Sequence, residues 1–234
     1  MGDGQSRAGR RDSGTRLIIF DCNGVLVDSE AIAAEVAAQE FVRVGIRITP
    51  AIVTRFFTGR RPADMISDVE RASGRRLPED FGQRLAEATL YRLRTEVRAT
   101  PHVQYALSWL REPKCVASSS SRERMVVSLE TTELIRFFEP HLFSASEVPN
   151  GKPAPDLFLH AAARMRVHPS ECIVVEDSPA GVSAAVAAGM TPIGFVSASA
   201  ALTNHAAQLT AAGARALIAD MRALKSTVAS LRGC

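Results

Sequence analysis

The chain has 234 residues, of which 46% are hydrophobic and 23% are charged, and its formal net charge at pH 7 is +3. This length can bury a sizeable core and suits one large domain or a domain that carries an insert. The small net charge gives no support for a nucleic-acid partner. No apolar run approaches the roughly 18 residues of a membrane span, so no membrane partner is expected either.

The cysteines and the N-terminus bear on the cellular compartment. Cys22, Cys115, Cys172 and Cys234 form no CxxC pair, which favours buried, reduced thiols and a cytoplasmic protein. Residues 1–16 are rich in Gly, Arg and Ser and contain no apolar segment, which is unlike a secretory signal. We expect residues 1–14 to be a disordered leader.

The first strong structural signal is an apolar run that ends in a carboxylate. Leu17 to Phe20 are all apolar, and Asp21 follows them directly, with Gly24 soon after. Such a run is typical of a short buried strand. In an open α/β sheet, ligands bind beyond the carboxyl ends of the strands, where Asp21 would lie.

Residues 31–97 are predicted to be helical throughout. Apolar residues recur there at three- to five-residue spacing, and Pro or Gly residues separate the segments. The predicted helices cover residues 31–44, 51–57, 63–72 and 79–97. We therefore expect residues 31–97 to form an inserted helical domain, a cap.

The remainder of the chain alternates between strand and helix signals. Strands are predicted at 114–117, 141–144, 172–175, 191–196 and 216–219, and helices at 101–110, 122–131, 155–165, 179–188, 200–212 and 221–231. This alternation predicts a doubly wound parallel sheet with helices on both faces. The α/β core would comprise residues 15–30 and 98–234.

Polar residues follow several of these strands in a pattern that suggests one site. Asp21, Ser118 and the pair Glu176-Asp177 stand at strand ends, and Lys152 lies in the intervening loop Gly151 to Asp156. Taken singly, each has an ordinary explanation as a helix cap, a turn residue or a surface lysine. Lysine is rare in this chain, however, because Lys114, Lys152 and Lys225 stand against 25 arginines.

Together these residues suit phosphoryl transfer. A carboxylate can attack a phosphoester and form an aspartyl-phosphate. Because both groups are anionic, a cation such as Mg²⁺ must lie between them, and Mg²⁺ prefers a few carboxylates and water as ligands. Asp21, Asp177 and Glu176 could supply such ligands, while Ser118, the backbone N–H groups after it and Lys152 could bind the phosphoryl oxygens.

The same segments resemble the haloacid dehalogenase superfamily. Residues 17–30 are similar to its first motif, Ser118 to the second, Lys152 in GKPAPD to the third, and Glu176 to Gly181 to the fourth. The insert resembles the C1 cap of that superfamily. The closest resemblance is to its β-phosphoglucomutase-like and CbbY-like branch, which includes sugar-phosphate phosphatases.

The resemblance implies a role for each matching residue. Asp21 would be the nucleophile and a Mg²⁺ ligand, and Ser118 and Lys152 would hold the phosphoryl group. Further metal ligands would be the backbone carbonyl of Asn23, the carboxylate of Asp177 and, as a third side chain, Glu176. The substrate-binding residues would be Gly24, Ser119, Thr58, Gly59 and Arg60, although the cap stretch from Thr58 to Arg61 could equally be an exposed turn.

One residue departs from the superfamily pattern. Asn23 stands where its phosphatases carry a second Asp, which acts as the general acid and base. An amide has no titratable proton near pH 7, and general acid–base catalysis is typically worth about 10²- to 10⁴-fold. The sequence therefore predicts a site that binds Mg²⁺ and phosphate but turns over slowly.

Several functions remain open at this stage. The prediction is a Mg²⁺-dependent phosphomonoesterase acting on a small phosphorylated metabolite, with a sugar phosphate favoured. The alternatives are a phosphosugar mutase, which would use the same residues, and a catalytically impaired protein that binds a phosphorylated ligand. Asn23 itself could be an engineered or spontaneous change, or a natural feature of a slow enzyme. The oligomeric state cannot be read from the sequence.

Overall fold

The computed structural model describes residues 17–57, 60–197 and 204–231. The predicted leader, Thr58, Gly59 and Cys234 lie outside these ranges. The described strands are β1 (Leu17–Phe20), β2 (Val27–Asp28), β3 (Arg98–Ala99), β4 (Lys114–Ser118), β5 (Leu142–Ser144), β6 (Cys172–Glu176), β7 (Thr191–Phe195) and β8 (Ala216–Ile218).

The described helices account for most of the remaining ordered chain. They are α1 (Glu30–Arg43), α2 (Pro50–Phe57), α3 (Pro62–Ser73), α4 (Phe81–Glu96), α5 (Val103–Trp109), α6 (Arg122–Thr131), α7 (Asp156–Met165), α8 (Pro179–Ala187), α9 (His205–Ala211) and α10 (Leu224–Leu231). Short 3₁₀ turns at Ile135–Phe137, Ala145–Glu147, Pro169–Glu171 and Met221–Ala223 complete the elements. No helix within the described ranges combines the length and the apolarity needed to cross a membrane.

Six strands form a parallel sheet in the order β5-β4-β1-β6-β7-β8. Strand β1 lies at its centre, and all four of its residues are completely buried. Residues of β1 alternate between two hydrophobic clusters: Ile18 and Phe20 belong to one, Leu17 and Ile19 to the other. Because successive side chains of a strand point to opposite faces, both faces of the sheet are covered by helices. The predicted doubly wound α/β fold is confirmed.

Helices α1 to α4 lie between β2 and β3 and form what we call the helical insert. At its base, β2 pairs antiparallel with β3, with Val27 opposite Ala99 and Asp28 opposite Arg98. This ribbon brings together the two points where the chain leaves and re-enters the sheet domain. The sequence does not predict this ribbon, because two-residue strands are too short to show periodicity.

The insert has an apolar interior that is continuous with the sheet domain. Phe41 of α1 and Phe81 of α4 are buried, and their ring centroids are 4.9 Å apart. Both belong to the same hydrophobic cluster as Phe20 of β1. The predicted helix at 221–231 is divided into a 3₁₀ turn and α10, and of the predicted helix at 200–212 the described part is α9.

Candidate active site

The sheet order places three of the predicted site residues side by side. Asp21 directly follows β1, Ser118 is the last residue of β4, and Glu176 is the last residue of β6. Strands β4 and β6 are the two neighbours of β1, and all three run parallel. Their carboxyl ends therefore meet at one edge of the sheet, which is where α/β proteins bind ligands.

Lys152 joins the ends of all three strands. Its Nζ lies 2.5 Å from Oδ1 of Asp21 and 2.5 Å from Oε1 of Glu176, and 3.5 Å from the carbonyl oxygen of Ala117 in β4. The ammonium is thus in contact with groups on all three central strands. The Lys152 side chain is only 1% exposed, and a buried charge of this kind is tolerated because it is paired and hydrogen bonded.

Glu176 is held on both of its carboxylate oxygens. Oε1 accepts from Lys152, while Oε2 accepts from the backbone N–H and the hydroxyl of Ser178, at 2.8 and 2.9 Å. A Cβ on Gly181 would lie 1.9 Å from Oε1, so this carboxylate packs directly on the first turn of α8. Glu176 is therefore well placed to orient Lys152.

Asp177 lies against the loop that follows β1. A Cβ on Gly24 would be 1.8 Å from its Oδ2, and Gly24 has a φ of +79°. Both facts require glycine at this position, because any side chain would displace the carboxylate and strain the backbone. On the other side, the Nε2 of His205 and the backbone carbonyl oxygen of Asp177 lie 2.6 Å apart, in a hydrogen bond that the ring N–H donates.

Burial dominates the electrostatics of these carboxylates. Burial and the negative charge of Glu176 raise the pKa of Asp21 to about 7, against the opposing effect of Lys152. Burial also raises the pKa of Asp177 well above its ordinary value, helped by the negative charges of Glu30 and Glu176. The pKa of Lys152 is raised because Asp21 and Glu176 together outweigh the effect of its burial. The site thus holds more carboxylate charge than its one buried ammonium compensates.

Asn23 occupies its position with both ends of the amide engaged. Its Nδ2 donates to Oγ of Ser120 at 2.8 Å, and the hydroxyl of Ser29 donates to its Oδ1 at 2.8 Å. Because a serine hydroxyl can rotate to donate or accept, the same pair of serines could also hold an Asp here. The surroundings of residue 23 therefore suit either an amide or a carboxylate.

The loop after β4 presents backbone and hydroxyl groups to the same region. The N–H of Ser120 donates to Oγ of Ser118 at 3.2 Å, and the hydroxyl of Ser144 donates to the carbonyl oxygen of Ser120 at 2.7 Å. Ser121 then caps α6 by accepting from the N–H of Arg124. These bonds fix the course of the loop at the edge of the site.

A cavity of about 340 Å³ lies between the helical insert and the sheet domain. Asn23 and Ser119 line it from the sheet domain, and Arg60 lines it from the insert. Arg60 forms an ion pair with Asp68 at 2.6 Å, and Arg61 forms one with Asp64 at 3.0 Å. The other predicted members of this loop, Thr58 and Gly59, fall outside the described residues.

The residues present fit a bound Mg²⁺. No group of three or more His, Cys, Asp or Glu side chains suited to a metal is found in the described ranges, and Glu176 already has partners on both oxygens. The carboxylates of Asp21 and Asp177 nevertheless supply only oxygen donors, and together with Glu176 they carry more negative charge than Lys152 balances. Gly24 has no side chain and therefore leaves room for the Asp177 carboxylate. Two carboxylates, a carbonyl oxygen and several waters are a usual environment for Mg²⁺.

Comparison with known proteins identifies the family. The model of haloacid dehalogenase-like hydrolases matches residues 15–189, which is most of the chain. The chain belongs to the haloacid dehalogenase-like hydrolase family. It is thus a hydrolase, and the resemblance inferred from its sequence is confirmed. A solved putative β-phosphoglucomutase from Thermotoga maritima is 26% identical, with a TM-score of 0.70 over 92% of this chain and 99% of its own, in agreement with the predicted branch of this family.

Individual relatives of this hydrolase cover most of its length. A 6-phosphogluconate phosphatase from Escherichia coli is 33% identical over 174 residues, which are 74% of this chain and 79% of that protein. A conserved haloacid dehalogenase-like protein of unknown function from Agrobacterium tumefaciens is 38% identical, with a TM-score of 0.78 over 93% of this chain and 99% of its own. A family hydrolase from Deinococcus radiodurans, solved with phosphate and sodium bound, is 28% identical with a TM-score of 0.73, covering 94% and 97%.

Several residues at this site of the hydrolase were not found from the sequence. Ser29 and Ser120 hold the Asn23 amide, and His205 holds the backbone of Asp177. Glu30 and Arg124 line the cavity. Ser29 and Glu30 lie at the end of the first motif, which is the sequence signal that could have found them, whereas the others depend on contacts between distant parts of the chain.

Proposed function

We propose that the chain is a Mg²⁺-dependent phosphomonoesterase that works through an aspartyl-phosphate on Asp21. The observation that carries this proposal is the Lys152 ammonium, which contacts both the Asp21 carboxylate and Glu176 at 2.5 Å. A buried cation in that position can neutralise the nucleophile and an incoming phosphoryl group together. Glu176 then holds Lys152 in place and leaves Asp177 free to take a metal-ligand role.

The proposed reaction has two steps. An oxygen of Asp21 attacks phosphorus, the bond from phosphorus to the leaving oxygen breaks, and that oxygen takes a proton from water. A second water then attacks the phosphorus of the aspartyl-phosphate and loses a proton to solvent. The bond from phosphorus to the Asp21 oxygen breaks, which releases inorganic phosphate and regenerates the carboxylate. Ser118, Ser119 and Lys152 bind phosphoryl oxygens throughout. Asp21, Asp177 and the Asn23 carbonyl would hold Mg²⁺, which would supply positive charge to offset the repulsion between the two anions.

Asn23 sets the rate in this scheme. The amide hydrogen bonds but cannot give a proton to the leaving oxygen or take one from water. Phosphomonoesters with poor leaving groups should therefore react about 10²- to 10⁴-fold more slowly than they would with an enzyme that has an acid at this position. An aryl phosphate has a leaving group that needs no proton. Its first step, formation of the aspartyl-phosphate, should therefore not be slowed by the lack of an acid at position 23.

The helical insert is proposed to act as the cap, with residues 31–97 closing over the core formed by 15–30 and 98–234. The β2–β3 ribbon would then be the connection about which closure occurs, and Gly24, Arg60, Thr58 and Gly59 would take part in substrate binding. Closure excludes water and selects the leaving group. A small phosphorylated metabolite fits a cavity of about 340 Å³, and the 6-phosphogluconate phosphatase relative favours a sugar phosphate.

The buried free thiols Cys22, Cys115 and Cys172 favour a reducing, cytoplasmic location.

Pre-steady-state kinetics with an activated aryl phosphate tests the proposal. We expect a burst of aryl alcohol of about one equivalent per active site, followed by slow turnover, because Asn23 impairs hydrolysis of the aspartyl-phosphate more than its formation. Mass spectrometry of the quenched protein should place one phosphoryl group on Asp21. Asp21→Asn should abolish the burst, as should chelation of Mg²⁺. Steady release with no phosphorylated Asp21 would contradict the proposed intermediate.

Asn23 also favours a second candidate, a protein that binds a phosphorylated ligand without turning it over. This candidate predicts Mg²⁺-dependent phosphate binding with no phosphorylation of Asp21 from any donor. It also predicts no phosphate release after Asn23→Asp. The first proposal predicts that this substitution restores turnover, so one variant separates the two.

A further inference from the structure

Arg124 is the cavity cation that the proposed reaction does not use. It lies in the first turn of α6 and lines the cavity with Asn23 and Ser120. Its Nε is buried and has no hydrogen-bond partner. Its guanidinium takes part in none of the ion pairs formed within the described ranges.

The other two arginines of the cavity differ in this respect. Arg60 is neutralised by Asp68, and Arg61 by Asp64, both within the helical insert. Burial lowers the pKa of Arg124, and Glu30 and Asp21 offset this only in part; a guanidinium nevertheless remains charged in proteins. Arg124 is therefore a charged group with unused donors facing the space where the leaving group must lie.

A buried donor without a partner is unfavourable, so this one is expected to be satisfied in the bound state. We propose that Arg124 binds a carboxylate on the leaving-group end of the substrate, which makes the preferred substrate a phosphomonoester that carries a carboxylate. This inference rests on the proposed phosphatase function and deepens it. The planar fork of a guanidinium matches the two oxygens of a carboxylate.

The rest of the cavity limits what else the substrate can be. Ala33, Ala37, Met65 and Leu85 give the insert side an apolar wall. Glu30 and Glu123 also line the cavity, so its charge is mixed and does not attract anions in general. A single carboxylate directed at Arg124 fits this arrangement better than a second phosphate, whose extra charge would meet the two glutamates.

Two matched pairs of phosphomonoesters test the proposal: 3-phosphoglycerate against glycerol 3-phosphate, and 6-phosphogluconate against sorbitol 6-phosphate. Each pair differs by a carboxylate in place of a primary alcohol. We expect kcat/KM to favour the carboxylate member by about 10- to 100-fold, as loss of one charge-assisted interaction implies. Arg124→Met should remove this preference, and Arg124→Lys should retain part of it.

Controls separate the possible outcomes. Arg94→Gln removes an exposed arginine that does not line the cavity, and it should leave the preference intact. Melting temperatures of both Arg124 variants would show that they fold. An equal loss for both members in Arg124→Met would assign the residue to the phosphoryl group and overturn the proposal, as would the absence of a preference in the unaltered protein.

Equilibrium binding distinguishes failure of this inference from failure of the proposed function. The four compounds and inorganic phosphate would be titrated against the protein by calorimetry with Mg²⁺. Preferential, Arg124-dependent binding of the carboxylate members without hydrolysis by the Asn23 or the Asn23→Asp protein would uphold the inference and refute the phosphatase. Binding of phosphate with equal affinity for both members of each pair would refute the inference alone.

Discussion

At the scale of single residues, the site is defined by charges that burial leaves incompletely balanced. Lys152 compensates Asp21 and Glu176 through direct contacts, whereas Asp177 has no ammonium of its own within the described residues. The raised pKa values of Asp21 and Asp177 express this excess. Mg²⁺ would compensate this negative charge, so its effect on stability should depend on pH.

Mg²⁺ should stabilise the protein more at about pH 8 than at about pH 5.5. The pKa of Asp21 rises from 3.8 to about 7 on folding without metal. A raised carboxyl pKa lowers stability as pH rises through that interval, because the folded state then holds an unfavourable carboxylate. Bound Mg²⁺ favours that carboxylate, so metal binding releases protons near pH 7.

The measurement is the Mg²⁺-induced shift in melting temperature at the two pH values, with calorimetry in buffers of different ionisation enthalpy to count released protons. Asp21→Asn is the control. Its amide cannot titrate, so its Mg²⁺-induced shift in melting temperature should be smaller and should not depend on the protonation of residue 21. An equal shift at both pH values in the unaltered protein would contradict the assignment of Asp21 as a ligand.

The residues of the site differ in how far the sequence reveals them. Asp21, Ser118, Glu176 and Asp177 follow recognisable strands, so the topology of a parallel sheet brings them together. Lys152 stands in a loop and was found through its motif alone. Arg124 lies three residues after a run of four serines and carries no local signal, because its importance comes from a buried Nε that has no hydrogen-bond partner within the described residues.

At the scale of elements, the loop after β1 decides whether the site can form. Gly24 turns the chain with a φ of +79° and lets Asp177 approach it more closely than any side chain would permit. The loop also returns the chain to β2 and hence to the insert. The same few residues thus serve both the metal-ligand position and the connection to the proposed cap.

Gly24→Ala should weaken Mg²⁺ binding by at least about tenfold, because the added Cβ displaces the Asp177 carboxylate, and each lost ligand contact is worth about this much or more. Gly74→Ala is a matched control, since Gly74 has a similar φ of +66° but nothing within 4 Å of its Cβ position. Both variants should lose about 1–2 kcal/mol of stability from backbone strain. Mg²⁺ titrations that respond alike to the two substitutions would contradict this role of Gly24.

Long elements were predictable because periodicity and Pro or Gly residues mark them. The strands of the sheet and helices α1 to α4 appear within a few residues of their predicted positions. The β2–β3 ribbon did not, since its pairing depends on two segments about 70 residues apart in the sequence. The split of 221–231 into a 3₁₀ turn and α10 likewise depends on a local cap, which Asp220 provides by accepting from the N–H of Arg222.

At the scale of the whole molecule, one hydrophobic cluster joins the helical insert to the sheet domain. Phe41 and Phe81 of the insert belong to it together with Phe20 of the central strand. A continuous core of this kind should unfold cooperatively, although a cap that opens and closes must keep a separable surface. A substitution that destabilises the insert should therefore destabilise the sheet domain as well.

Phe41→Ala should destabilise the protein by about 3–5 kcal/mol and lower the midpoint of every probe equally. The single tryptophan, Trp109 on α5, reports the sheet domain by fluorescence, and far-UV circular dichroism reports all helices. Phe56→Ala is the control, because Phe56 belongs to the same insert but is 58% exposed and should change stability by less than about 0.5 kcal/mol. An unchanged Trp109 midpoint in Phe41→Ala would show that the two parts unfold independently.

The central claim is that this chain is a phosphatase whose turnover is limited by the amide at position 23. Its most direct test is steady-state, Mg²⁺-dependent phosphate release from the same panel of sugar phosphates by the protein and by Asn23→Asp. We expect the substitution to raise kcat by about 10²-fold or more, because it supplies the missing acid and base while Ser29 and Ser120 can hold either side chain. Equal rates in both forms, or no release from either, would contradict it.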